Sequence, residues 1–229
     1  MREKEETYSA VKKGRFINYL LKKVAKDARN EFFNILKKET KYSKENSIID
    51  IGTSPSLDDE QNVILSKIKD NKNVTCLSWH NCKILLKKYP NIKKILIRDG
   101  KNNNLPKKSF DIVHSNATIE HVGSNKNQLS FIKECVRIAK KYVFIQTPNR
   151  FYPLDFHTIL PFIHLLPKNI HRKILKIIGF NFYSLEKNLN LLSKGDLINL
   201  CKELNIKNYK IIKCRLLFMT SNLILLIKK

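Results

Sequence analysis

"SIIDIGTSPSLDDEQN", residues 47–62, runs from a short apolar strand into a tight turn and then into residues suited to a helix start. A strand that ends this way is the opening unit of an α/β sheet, and the rest of the chain repeats the rhythm. Further strands are expected at "NVTCLSW" (73–79), "IKKILIRD" (92–99), "FDIVHS" (110–115) and "KYVFIQTP" (141–148). Helical stretches fall between them, at roughly 59–69, 80–88 and 125–139. This alternation predicts a mostly parallel sheet with helices on both faces. "KNYKIIKC" (207–214) and "NLILLIKK" (222–229) follow each other without a helix, which implies an antiparallel pair at the end of the sheet.

Upstream, Phe16, Tyr19, Leu20, Val24, Ala28, Phe32, Phe33 and Leu36 recur every three or four residues between 8 and 40, so residues 1–44 form an N-terminal helical segment. Residues 45–229 form the main domain. Pro148, Pro153, Pro161 and Pro167 interrupt the rhythm, and 148–192 is expected to be an inserted lid of short helices. Ser193 and Asp196 have the spacing of a capping pair for a helix reaching about Leu204.

With 229 residues and 42% hydrophobic content, the chain suits one soluble domain. No secretory pattern opens it, and the cytoplasm is the expected compartment. Cys76, Cys82, Cys135, Cys201 and Cys214 are widely spaced, without a CxxC pair, and are expected to be reduced thiols. The net charge of +24 comes from lysines spread along the whole length. It does not form an arginine-rich arm with interleaved aromatics, so it gives no firm evidence for nucleic acid.

In open α/β sheets ligands sit beyond the carboxyl ends of the strands. The residues to interrogate are therefore Asp50–Pro55, Ser78 and Trp79, Asp99 and Gly100, Ser115–His121 and Thr147–Arg150. Gly52 stands alone after the first strand, so the glycine-rich fingerprint of dinucleotide sites is missing, as is a phosphate loop ending in G-K-[ST]. A ligand without phosphates is favoured. Acids at strand ends in so basic a chain suit an ammonium group and ribose hydroxyls, which S-adenosylmethionine carries.

"IIDIGTSPS", "IRDGKNNNLPKKSFDIVHSNATIEHVG" and "YVFIQTPNRFYPLDFHTILPFIHLLP" resemble the class I S-adenosylmethionine-dependent methyltransferases of the methyltransferase type 11 family, over about residues 45–165. The resemblance implies a Rossmann-like seven-stranded sheet with an antiparallel last strand. It implies that Asp50, Gly52, Thr53 and Ser54 surround the methionine portion of the cofactor, that Asp99 and Gly100 lie beside adenine, and that Ser115 and Asn116 line the cofactor. Glu120 and His121 match the family's "EH" on the acceptor side. Two departures stand out: Pro55 follows a loop lacking further glycines, and Ser78 replaces the acid expected to grip the ribose.

Methyl transfer from a sulfonium needs a base only when the acceptor is a protonated nucleophile, and His121, then His157, are the candidates. The acceptor class is a small molecule, lipid or sugar intermediate. The competing function is a binding protein with this fold that has lost catalysis and holds an anionic partner, nucleic acid or membrane. Plainer roles stand beside these. His114 in an apolar strand reads as a hydrogen-bonded core residue, and Ser56 with Asp59 as a helix cap. His157, His164 and His171, seven residues apart with prolines between, give no tight ligand set, and no metal is expected. The basic, amphipathic stretch 156–180 reads either as a lid packed on the sheet or as a segment resting on an anionic membrane.

Overall fold

The computed structural model describes residues 15–59 and 61–229, with side chains from residue 26 onward. Residues 8–14 of the expected first helix, and the side chains of Phe16, Tyr19, Leu20 and Val24, lie outside the described residues.

The run Ile48–Ile51 (β1) is buried at every position, as a strand covered on both faces must be. It pairs in parallel with Val74–Ser78 (β2) on one side and Phe110–Asn116 (β4) on the other. Lys94–Ile97 (β3) extends the sheet beyond β2, and Ala139–Pro148 (β5) beyond β4, both parallel. Met219–Lys228 (β7) lies antiparallel between β5 and the edge strand Tyr209–Leu216 (β6). The order is β3-β2-β1-β4-β5-β7-β6. This is the expected seven-stranded Rossmann-like sheet with an antiparallel last strand.

Successive strand residues point to opposite faces. Ile49, Ile51, Val113, Val143 and Ile145 therefore pack under Phe131, Ile132 and Cys135 of Asn125–Ile138 (α3) and Leu197 and Leu200 of Lys194–Glu203 (α5). Ile48, Cys76, Ile112 and Phe144 point the other way, toward Phe32 and Leu36 of Arg15–Thr40 (α1) and Ile64 and Leu65 of Val63–Lys67 (α2). All five cysteines are buried free thiols.

Two expected helices are shorter than their periodicity suggests. The helix expected at 59–69 spans only Val63–Lys67, because Asn62 is spent on the preceding loop: its amide accepts from Ser54 N and donates to the carbonyls of Ser54 and Ser56. Ser56 and Asp59 form no cap there; Ser56 Oγ accepts from Asp58 N, and Asp59 accepts from the Tyr89 hydroxyl. The stretch at 80–88 holds a 3₁₀ turn, Lys83–Lys87, with Leu85 as its single buried residue.

Between β5 and α5 the chain forms a 3₁₀ turn at Ile163–Leu165 and a helix, Lys168–Ile177 (α4), that buries His171 and Leu175 and exposes Ile170 and Ile177. No helix among the described residues is long and apolar enough to cross a membrane. α5 then opens with a reciprocal cap, in which Ser193 Oγ accepts from Asp196 N and the Asp196 carboxylate accepts from Ser193 N at 2.7 Å. Ser193→Ala is expected to cost about 1 kcal/mol and lower Tm by about 2–4 °C, read by calorimetric melting.

Candidate active site

The chain runs outward from β1 to β3 and then returns to the opposite side of β1 with β4, so the switch point lies between the carboxyl ends of β1 and β4. Those ends are laced together. Ser115 Oγ donates to the Ile51 carbonyl at 2.9 Å, and Thr118 Oγ1 donates to the same oxygen at 3.3 Å. Gly52 has φ +92°, and a Cβ there would stand 2.0 Å from Thr118 Oγ1. Only glycine combines that backbone conformation with that approach.

Just below, Asp50 and His114 are register partners, with Asp50 Oδ1 2.6 Å from His114 Nδ1. Thr53 Oγ1 donates to the other Asp50 oxygen at 3.2 Å. Both partners are buried, and the imidazole stacks on Phe144. The Asp50 carboxylate is thus used within the sheet, and His114 is the hydrogen-bonded core residue expected of it.

Further along the edge, the other cofactor candidates divide by burial. Thr53, Ser78, Gly100 and Ser115 are buried, whereas Gly52, Ser54, Asp99 and Asn116 reach the surface. Gly100 is a packing glycine, since a Cβ would stand 2.9 Å from Ile51 and 3.0 Å from the Phe131 ring. Ser78 Oγ accepts from His80 N. Asp99 pairs with Lys101 at 3.2 Å, and the Lys101 ammonium lies 5.4 Å from the centre of the exposed Trp79 ring. This edge offers the solvent-exposed Gly52, an aromatic face and a carboxylate, a set that fits a nucleoside carrying a positive charge.

Beyond β4, a single turn at Ile119–His121 places Glu120 inward and His121 outward. Glu120 is wholly buried; Oε2 accepts from Thr147 Oγ1 of β5 at 2.9 Å, while Oε1 has no hydrogen-bond partner. The segment between β5 and α5, the expected lid, brings His157 to the same place, its Nε2 3.1 Å from His121 Nε2 and 3.9 Å from Glu120 Oε1. Behind His157 stands the buried carboxylate of Asp155, which meets His157 Nδ1 at 3.0 Å and accepts from Thr158 Oγ1 at 2.7 Å. His121 Nδ1 lies 2.7 Å from the Asn188 carbonyl.

Burial would push the Asp155 carboxyl up, but hydrogen bonds and charge from His157, with Thr158, hold it well below the usual carboxylate range. For His157 burial acts downward and is more than offset by Asp155 and then Glu120, so its pKa rises. The His121 pKa falls. Solvent reaches one side of that ring, yet packing on the others and then the neighbouring His157 disfavour its charge.

The three residues expected to do chemistry, Glu120, His121 and His157, therefore meet. Asp155, Asn188 and Asn190 were missed. Asp155 had a local signal, an acid two residues before a histidine in "DFH". Asn190 had none: its backbone N–H donates to Glu120 O at 2.7 Å, and its side-chain amide donates to Gly123 O at 2.8 Å, across an interval of about 70 residues. Asp50→Ala would strip a buried imidazole of its partner, and chemical denaturation is expected to show a loss of about 1–3 kcal/mol.

Comparisons with known proteins bear on the fold. Residues 67–145 match the methyltransferase domain family. Among curated proteins, no sequence matches the chain. A SAM-dependent methyltransferase from Archaeoglobus fulgidus is similar at 16% identity, over 93% of this chain and 99% of that one, with a TM-score of 0.55. A methyltransferase from Thermotoga maritima, described as a possible histamine N-methyltransferase, is 17% identical over 94% and 97% of the two chains, at 0.53. The 1,6-didemethyltoxoflavin N1-methyltransferase of Burkholderia thailandensis, solved with 1,6-didemethyltoxoflavin and S-adenosylhomocysteine bound, is 9% identical over 88% and 78%, at 0.56. The chain thus matches the methyltransferase domain family over residues 67–145 and has the fold of solved S-adenosylmethionine-dependent methyltransferases.

Proposed function

We propose that this protein is an S-adenosylmethionine-dependent methyltransferase acting on a small-molecule, lipid or sugar acceptor. The observation that supports this best is the pair of imidazoles facing each other beside a buried carboxylate, beyond the same sheet edge that carries Gly52, Trp79 and Asp99. A sheet core has no use for two ring nitrogens turned toward one another. An acceptor site does.

The cofactor, when bound, supplies a methyl group already activated on sulfur, which leaves positioning and deprotonation to the protein. Gly52, Ser54 and Asn116 are the surface groups at the β1 and β4 ends that would hold its methionine portion. Asp99 and Trp79 would hold the nucleoside, with Ser78 offering the ribose a hydroxyl where relatives of this type offer an acid. On the acceptor side His121 and His157 hold or take up a proton, and Asp155 keeps the His157 ring oriented. The lid carries His157, so acceptor binding and lid position are linked.

The second reading, a binding protein without catalysis, draws on Ser78, on Thr118 filling the space over Gly52, and on Lys101 occupying Asp99. Titration calorimetry with S-adenosylhomocysteine separates the two. The expected dissociation constant is about 1–100 μM, or roughly −8 to −5.5 kcal/mol. Asp99→Ala is expected to weaken it at least about 10-fold, since charged hydrogen bonds contribute about 1.5–3 kcal/mol. Among the described residues Asp99 bonds to Lys101 and Asn102 nearby, so this variant spares the fold, unlike Asp50→Ala. No heat up to millimolar ligand, from protein shown to be folded, would overturn the enzyme reading and turn attention to the basic surface.

A further inference from the structure

We infer that Glu120, His121 and His157 form a binding site for a divalent transition-metal ion, supported from behind by Asp155 and the Asn188 carbonyl.

The argument starts from which nitrogens carry protons. His121 Nδ1 faces a backbone carbonyl at 2.7 Å, which can only accept, so Nδ1 is the protonated nitrogen. His157 Nδ1 faces the Asp155 carboxylate at 3.0 Å, and that carboxylate also accepts from Thr158, so it too only accepts. With both rings neutral, each therefore turns an unprotonated Nε2, with its lone pair, toward the other at 3.1 Å. Two lone pairs at that separation repel unless something positive lies between them.

A shared proton would satisfy the two nitrogens and leave a third group unmet. Glu120 Oε1 is buried, has no hydrogen-bond partner, and lies 3.9 Å from His157 Nε2. The three ligand atoms lie within 4.8 Å of one another. A cation answers all three. The geometry suits one: two nitrogens each about 2.1 Å from an ion and 3.1 Å apart subtend roughly 95° at it, an ordinary angle between neighbouring ligands. The rings cross at 76°, so neither blocks the other.

The surroundings match what ligating histidines need. Each donates its second ring nitrogen, one to a carbonyl and one to a carboxylate, which fixes the tautomer and raises the basicity of the nitrogen left for the metal. Two imidazoles and one carboxylate suit Zn²⁺, Co²⁺, Mn²⁺ or Fe²⁺ better than Ca²⁺ or Mg²⁺, which prefer oxygen ligands. Three protein ligands leave coordination positions open, and His121 is exposed, so those positions face the side from which a substrate would come.

The role of such an ion rests on the methyltransferase reading, whereas its binding does not. At this place it would take an oxygen of the acceptor and lower the pKa of a hydroxyl there, so that the proton leaves to solvent and the two imidazoles, now its ligands, no longer serve as the base. That narrows the acceptor to molecules offering a hydroxyl or similar oxygen donor.

The test is uptake of Co²⁺ by the full-length protein after chelator treatment, without cofactor, followed by visible d–d absorption, with Zn²⁺ as competitor. One equivalent is expected to bind and to be displaced by Zn²⁺. His121→Gln and His157→Gln are each expected to weaken uptake by more than about 100-fold, and Asp155→Asn by about 10-fold. His121 is exposed, so its variant is the one that keeps the fold. No band at millimolar Co²⁺ on protein folded by circular dichroism would overturn the site, as would uptake unchanged in both histidine variants. S-adenosylhomocysteine binding on the same preparation keeps the readings apart: uptake without it removes the methyltransferase reading alone, and binding of it without uptake removes the metal site alone.

Discussion

The meeting of the β1 and β4 ends is the constraint on which the rest of the molecule depends. β4 returns to the flank of β1 after two strands have been laid on the other side, and the two carboxyl ends must then share one small space. Gly52 makes this possible by having no side chain where Thr118 Oγ1 comes to lie. Ser115 and Thr118 both donate to the Ile51 carbonyl, so the first residues after β4 are fixed relative to β1 before any loop begins. The turn that carries Glu120 and His121 starts from that fixed point. Its placement follows from the sheet, not from the lid.

The lid then has to return to this turn with enough precision to set His157 against His121. Asn190, at the end of the lid, supplies much of that precision. Its backbone donates to Glu120 O, its side chain donates to Gly123 O and accepts from Lys168 Nζ, and its carbonyl accepts from Gln128 Nε2 of α3. One residue thus ties the turn after β4, the start of α4 and the first turns of α3 to the strand-like step that leads into α5. Every partner is polar and mostly buried, so a displacement would leave several groups unmet at once. The bonds make the lid an extension of the sheet edge rather than a loose cover.

These relations explain which parts of the molecule could be seen in the sequence. Strand runs such as Ile48–Ile51 and the cap at Ser193 and Asp196 are legible because the forces that make them act within a few residues. The same holds for the family likeness around "IEH". The extent of α2 was not legible, because Asn62 serves the loop before it instead of the helix after it. The bond from Asp50 to His114 was not legible, because the two lie 64 positions apart on different strands. The three lid histidines are spaced too far apart to form a ligand set among themselves, and the partner that the fold gives His157 lies 36 positions earlier. Pattern within a window reports local chemistry and is blind to pairing across the sheet.

Among the described residues, Asp50 with His114 and Asp155 with His157 are two buried acid–histidine pairs, and they differ in how far their polar groups are met. Asp50 and His114 sit in the sheet with Thr53 on the second carboxylate oxygen and Phe144 beneath the ring, so the acid's demands are met locally. Asp155 and His157 repeat the arrangement up to the last atom: Thr158 holds the second oxygen, but the far nitrogen of the ring points at another ring nitrogen and at an oxygen without a hydrogen-bond partner. Burying polar groups in that state costs free energy that packing elsewhere must offset. A core evolves away from such a cost by replacing the groups with apolar ones, whereas a site retains it because the missing partner arrives with the ligand. On that physical ground the unfinished pair, not the finished one, is where a ligand would find groups still to be met.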